Sequence, residues 1–191
     1  MPEYEAIEEM PMHNRGNVTN LPPFHMGFFL AGFFGPLYTG SIIIYTPSTM
    51  PPTTKTIAHV AQHVPVDIIS VMPSTVEDIG LDTNLQHICL NSGIKTICWA
   101  GGPVSQYAGS KAAKLFKILT TIGSSESGVW NTIYWKVDAG SDPFTFKGMC
   151  FHPDDNIEFR DQGDGLYLVV IVRHPDPKKK QPVFCLLPDE N

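Results

Sequence analysis

Basic residues are scarce in this chain: of 191 residues, 13 are Lys or Arg against 19 Asp or Glu, a formal net charge of −6. A nucleic-acid groove neutralises phosphates with clustered Lys and Arg, so nucleic acid is excluded as a partner. The one basic run, Lys178-Lys179-Lys180, is framed by Pro175, Pro177 and Pro182 and reads as a solvated loop. Cysteine is sparse as well. Cys89, Cys98, Cys150 and Cys185 form no C-x-x-C pair and sit mostly in apolar runs, which reads as buried thiols of a reducing compartment. Met1 to Asn20 is acidic and polar with no hydrophobic stretch, so no secretory signal is expected and the reading is cytoplasmic. Phe24 to Tyr45 carries no formal charge and is long enough to span a bilayer. However, Gly27, Gly32, Gly35, Pro36 and Gly40 punctuate it, so a buried helix followed by a buried strand is expected and no membrane partner.

What the chain does contain is apolar material in alternating periodicities. At 42% hydrophobic it can bury a core. Residues 1–20 lack periodicity and read as a flexible lead-in. Residues 21–128 alternate helix and strand: helix 24–38, strand 42–45, helix 54–63 capped by Thr53 or Thr54, strand 66–71, a short helix 73–79, strand 94–99, helix 104–116 with Ser105 near its start, and strand 117–122. Helices between apolar strands imply crossover connections and a parallel sheet, whose ligands sit at the carboxyl ends of the strands. From Val129 to Asn191 the pattern shifts to short strands at 144–150, 157–160, 166–173 and 183–187, with Gly163-Asp164-Gly165 joining an antiparallel pair. The fold class expected is therefore α/β, a parallel sheet with flanking helices followed by a smaller β-rich region.

The most informative string is Thr120-Thr121-Ile122-Gly123-Ser124-Ser125-Glu126-Ser127-Gly128. A strand feeding a glycine turn with hydroxyls and a carboxylate suits a phosphate and its metal: backbone N–H and hydroxyl groups donate to phosphate oxygens, and the carboxylate holds Mg²⁺. A serine-rich turn with a helix-capping glutamate fits the same residues. About twenty residues upstream, Ala100-Gly101-Gly102-Pro103-Val104-Ser105 offers bare backbone to a flat ligand. Further upstream, Leu21-Pro22-Pro23-Phe24-His25-Met26-Gly27 enters the apolar helix.

In this order and at these separations the three strings resemble the adenylate-forming (AMP-binding) superfamily, whose chains show P-x-F-H-x-x-G, G-G-A-P-type and Y-G-x-T-E segments. Downstream, Phe151-His152-Pro153, Ile157-Glu158-Phe159-Arg160, Gly165 to Arg173 and Gln181-Pro182-Val183-Phe184 are similar to the fungal branch related to nonribosomal peptide synthetases, including aminoadipate-reductase-like carboxylate reductases. The resemblance covers residues 21–191. It implies part of an N-terminal AMP-binding domain, ATP/AMP and Mg²⁺ as cofactors, a small carboxylic acid as substrate, and a pantetheine thiol, on a carrier domain, as acceptor. Residue by residue it places Glu126 on Mg²⁺ and the Ser125 hydroxyl, where the family has Thr, on the phosphate. Ile122, Gly123 and Ser124 complete that turn; Gly101, Gly102 and Pro103 line the adenine; and His25 stands at the acyl pocket or thiol entrance, with Phe24 and Gly27 shaping its wall.

The departures are also informative. Ile122 replaces the family's tyrosine, removing an aromatic face, and Gly102-Pro103-Val104 lacks the usual alanine. No Ser/Thr/Gly-rich loop ending in Pro-Lys precedes Leu21, and the lysine-bearing C-terminal domain is missing, so the expectation is an incomplete domain without turnover of its own. A non-catalytic partner-binding protein on the same fold is one alternative. A serine hydrolase is another, since Gly123-Ser124-Ser125-Glu126-Ser127 approaches a G-x-S-x-G elbow but ends in serine, with His152 or His174 as conceivable bases. His59 and His63, four apart on a helix, lack a third zinc ligand and read as a solvated face. Asp154-Asp155 and Asp161 to Asp164 read as turns rather than a calcium loop.

Overall fold

The computed structural model describes residues 4–6, 15–130, 132–135, 148–176 and 181–184. A short strand β1 (Tyr4–Ala6) is followed by β2 (Gly16–Thr19), which lies inside the main sheet between two neighbours. The stretch read as a lead-in thus supplies an interior strand. Its polar residues hid it: Asn17 and Thr19 are buried, and Asn17 accepts a hydrogen bond from the Ser70 hydroxyl at 3.1 Å across the sheet.

The uncharged stretch then coils through α1 (Met26–Phe28), a π-helical segment Phe29–Phe34, and α2 (Gly35–Thr39), which ends on left-handed Gly40 (φ 68°). Pro36 explains the irregularity. It has no N–H for the carbonyl four residues back, that of Gly32, and that carbonyl accepts instead from the Tyr45 hydroxyl at 2.9 Å. The Gly35 N–H reaches the Leu30 carbonyl, closing the wider turn. The chain continues through β3 (Ile42–Tyr45), α3 (Thr54–Ala61), β4 (Ile68–Val71), α4 (Pro73–Leu81), α5 (Thr83–Asn91), β5 (Thr96–Trp99), α6 (Gln106–Ala113) and β6 (Lys117–Thr120). Caps mark the starts: Thr53 accepts from Thr56 N, Asp82 from Asn84 N and Leu85 N, and Ser105 from Ala108 N. The expected cap residues Thr53 and Ser105 serve as such. Helix α5 was not anticipated, because only Leu85 and Cys89 of its nine residues are buried and no apolar stripe shows.

The main sheet is parallel throughout, in the order β3-β2-β4-β5-β6. Its core is made by Val18, Ile69 and Ile97 of the strands against Ile57, Val76, Ile79 and Phe116 of the flanking segments. Strand order reverses between β2 and β4, which makes that position the switch point where open α/β sheets form a crevice.

Beyond β6 come small antiparallel pieces: β7 (Gly123–Ser124) with β8 (Gly128–Val129); β9 (Thr132–Trp135) between β1 and β10 (Cys150–Phe151); and the hairpin β11 (Ile157–Gly163) with β12 (Leu166–Ile171). The hairpin turns at Asp164 (φ 53°) and Gly165 (φ 74°), the paired positive φ of a tight two-residue turn. Residues 144–147 and 185–187 of the expected strands lie outside the described residues, while Pro182–Phe184 forms a 3-10 turn rather than a strand. A parallel α/β layer with a smaller β-rich region is therefore the observed class.

Cysteine burial is mixed. Cys89 is buried, Cys98 half-buried and Cys150 exposed, so the reading of all four as buried thiols does not hold for Cys150. Cys185 lies outside the described residues. Among the described residues no helix is long and apolar enough to cross a membrane. One apolar face is nonetheless open: Phe29, Phe33 and Leu37, at helical spacing, are exposed beside the edge strand β3.

Candidate functional site

All three strings singled out in the sequence leave the carboxyl ends of parallel strands on one edge of the sheet. Leu21 to Gly27 follows β2 at the switch point, Ala100 to Ser105 follows β5, and Thr121 to Gly128 follows β6. Strands β5 and β6 are direct neighbours with Trp99 opposite Thr120, and Thr121 N donates to the Trp99 carbonyl at 3.2 Å. The two glycine turns therefore emerge side by side. At about 4.8 Å per strand, β2 lies about 10 Å from β5.

The first turn is built to stay bare. Gly101 has φ 94°, a conformation that disfavours any side chain, and a Cβ placed on it would meet no atom within 4 Å. Open space thus faces its backbone. Gly102 lies against α4, a Cβ there coming 3.6 Å from Pro73 Cγ. Val104 is buried and anchors the far end, and Pro103 is exposed.

The second turn is a miniature hairpin rather than a helix start, so the capping role considered for Glu126 does not arise. Gly123 is sterically obligatory, since a Cβ would lie 2.4 Å from the Gly128 carbonyl oxygen. Serine hydroxyls brace the tip: Ser124 Oγ lies 3.0 Å from Ser127 Oγ and accepts from Ser127 N at 3.1 Å, while Trp130 Nε1 donates to Ser127 Oγ at 2.9 Å. Ser124 and Ser127 are thus occupied in shaping the turn. Ser125 and Glu126 are exposed at its tip. The Ser124 hydroxyl, with the residue's own backbone N–H, holds the Glu126 carboxyl below the usual carboxylate range. A solvated, ionised carboxylate beside free space is the form a hard cation needs. Ile122 is partly exposed on the approach to the hairpin.

His25 is exposed and caps α1, its Nδ1 accepting from Gly27 N at 3.0 Å. Phe24, expected to shape an acyl wall, is 86% exposed and forms no enclosed pocket. The histidines considered for a hydrolase are committed to their own turns. Nδ1 of His152 accepts from Asp154 N and Nδ1 of His174 from Asp176 N, and neither makes a hydrogen bond with Ser125. His59 and His63 sit with ring centroids 4.6 Å apart, His63 Nδ1 lying 2.7 Å from the His59 carbonyl oxygen. His63 borders a separate cleft of about 680 Å³ lined also by Gln62, Ile88 and Asn91, far along the chain from the glycine turns.

Two features escaped the sequence reading. Glu77 of α4 accepts from Ser105 N at 2.7 Å, tying the first turn to a helix that precedes it by two elements. The side-chain oxygen of Asn20 and the indole N–H of Trp99 are buried without a hydrogen-bond partner, both at the carboxyl edge. No sequence pattern signals either.

The residues can be tested against a nucleotide and Mg²⁺. Open space over Gly101 suits a planar base, and the exposed Glu126 carboxylate suits a cation whose other ligands are phosphate oxygens. Among the described residues no cluster of three or more His, Cys, Asp or Glu would hold a metal unaided, so the fit is to a metal carried in with phosphates.

No family model matches the chain. A curated relative, the isocyanide synthase-NRPS hybrid crmA of Aspergillus fumigatus, is 26% identical over 147 residues, 77% of this chain but 9% of that protein. A benzoate CoA ligase from Burkholderia xenovorans aligns with TM-score 0.59 at 20% identity, over 78% of this chain and 29% of its own. A malonyl-CoA ligase, solved as a ternary product complex with methylmalonyl-CoA and AMP, aligns with TM-score 0.55 at 16% identity over 78% of this chain and 31% of its own. The N-terminal subdomain of Klebsiella oxytoca NpsA, in complex with 3-hydroxybenzoyl-AMSN, gives TM-score 0.52 at 15% identity over 66% and 32%. The chain therefore spans under a third of these relatives and solved neighbours. The solved structures agree on the fold, and the chain has the fold of part of an adenylate-forming N-terminal domain.

Proposed function

We propose that these residues form the nucleotide- and acyl-facing part of an AMP-dependent ligase that activates a small carboxylic acid for transfer to a pantetheine thiol. The supporting observation is the placement of two glycine turns side by side on neighbouring parallel strands, one bare and open at Gly101, the other presenting an ionised carboxylate at Glu126. In the reaction of that class, a carboxylate oxygen bonds to the α-phosphorus of ATP as the bond to the bridging oxygen breaks. Pyrophosphate leaves, and the thiol later displaces AMP from the acyl carbon.

The chain's own residues supply positioning and charge. The Gly101, Gly102 and Pro103 backbone lines the adenine. Ile122 and Gly123 set the approach of the hairpin, Ser124 holds its shape and keeps Glu126 ionised, and Ser125 offers a hydroxyl to phosphate. Mg²⁺ at Glu126 would neutralise phosphate charge, the main source of rate in such transfers. His25, at the end of the switch-point strand, faces the acyl group or thiol. Nucleotide binding is the behaviour proposed for these residues. A carrier domain bearing phosphopantetheine would be the acceptor in the full enzyme.

The test is isothermal titration of the chain with ATP and Mg²⁺, alongside Glu126→Ala and Gly101→Val. Binding that weakens in both variants supports the assignment. Titration curves unchanged by Glu126→Ala remove that residue from the site, and no binding by the wild-type chain refutes the nucleotide site.

A further inference from the structure

Helix α4 carries three contacts on one face, at Pro73, Glu77 and Gly80, spaced four and three residues apart as a single helical stripe requires. Pro73 abuts Gly102 of the bare turn, the Glu77 carboxylate accepts from Ser105 N at 2.7 Å, and Gly80 lies so close to α6 that a Cβ would be 2.2 Å from the Ala108 carbonyl oxygen. Ser105 is the N-cap of α6, its own hydroxyl accepting from Ala108 N. The turn is thus held between two ends: β5 behind it, and an N-cap whose N–H is fixed by a carboxylate from another helix.

Building on the nucleotide reading above, we propose that Glu77 is the positioning residue of this site, setting the backbone of Gly101-Gly102-Pro103 by anchoring Ser105. It touches no ligand and acts through the turn. Gly101 itself has a φ of 94° and open surroundings, so its orientation is set by the residues that flank it. The carboxylate also occupies the positive end of α6, so an anion gains nothing by approaching there. That leaves the first turn to an uncharged planar group and the second turn to phosphate.

The experiment is amide NMR of the full chain as wild type, Glu77→Gln and Glu77→Ala, with AMP as the ligand probe. Glutamine keeps an acceptor oxygen, so the Ser105 amide exchanges at a near wild-type rate and the Gly101 and Gly102 signals stay in place. Alanine removes it: Ser105 exchange rises about tenfold, both glycine amides shift, and AMP affinity falls about fivefold while the melting temperature matches that of the glutamine variant. Wild-type exchange at Ser105 with unmoved glycine signals in Glu77→Ala overturns the proposal. So does an AMP affinity lost equally in both variants, since a merely electrostatic role would not be rescued by glutamine. Failure of the wild-type chain to bind AMP counts against the nucleotide reading alone, and the amide signals still decide for or against Glu77.

Discussion

Gly80→Ala is a substitution whose sign tests the packing of α4 on α6. In an unconstrained helix interior, glycine to alanine stabilises by about 1 kcal/mol, because the backbone loses less entropy on folding. At this position the added methyl would stand 2.2 Å from the Ala108 carbonyl oxygen, 2.7 Å from its carbon and 3.0 Å from its Cα. All three are backbone atoms, so no side chain can rotate away, and the helices must separate by about 1 Å. Overpacking of this kind costs about 1–3 kcal/mol, and the separation also forfeits part of the dispersion contact along the interface. The two effects oppose, and the clash wins because it cannot be relieved locally. A net loss of about 2 kcal/mol is expected, a fall in Tm of about 4–8 °C for a chain of this size. Thermal unfolding followed by far-ultraviolet circular dichroism, with urea unfolding to check that the slope is unchanged, gives the answer. A variant as stable as the wild type, or more so, would show that α4 and α6 are not in this contact.

The indole N–H of Trp99 is buried without a partner, a cost of about 1–3 kcal/mol that Phe would not incur. Trp99→Phe is therefore expected within about 1 kcal/mol of wild type in urea unfolding, far less than the usual price of truncating a buried aromatic; a loss above about 3 kcal/mol would mean the N–H is satisfied. Burial pushes the Cys89 thiol up to about 11 and the Cys98 thiol up to about 12, the latter against the opposing charge of Lys117, whereas Cys150 is exposed. Iodoacetamide at pH 8 should modify Cys150 well before either, as read by peptide mass mapping. Glu126 is held below its ordinary value of 4.5, so it remains mostly ionised at that pH and protonates only as the pH falls further. Carboxyl carbon shifts should follow that titration, and Ser124→Ala should move it back up; an unchanged midpoint would clear Ser124 of the role.

How much of this was legible in the sequence depends on where periodicity and burial agree. Ile42–Tyr45, Ile68–Val71, Thr96–Trp99 and Lys117–Thr120 announce themselves as apolar runs between turn residues, and the parallel sheet follows from the helices between them. Gly16–Thr19 did not, because an interior strand whose buried residues include Asn17 and Thr19 satisfies its polar side chains across the sheet, and no local pattern encodes that partner. Helix α5 stayed hidden for the complementary reason, burying only Leu85 and Cys89. The three strings at the carboxyl edge were visible as motifs, and their shared edge follows from strand order. The role of Glu77 was not visible, since its partner lies 28 residues away and depends on how two helices pack.

The turns after β5 and β6 are proposed to serve one nucleotide. The most direct test of that proposal replaces Mg²⁺ with paramagnetic Mn²⁺ in the presence of ATP and follows amide broadening in the full chain. Strong broadening is expected at Gly123 to Gly128 and weaker broadening at Gly101 and Gly102, with the cleft around His63 and Asn91 unaffected. Broadening confined to the histidine cleft, or to one glycine turn while the other stays sharp, would contradict the proposal.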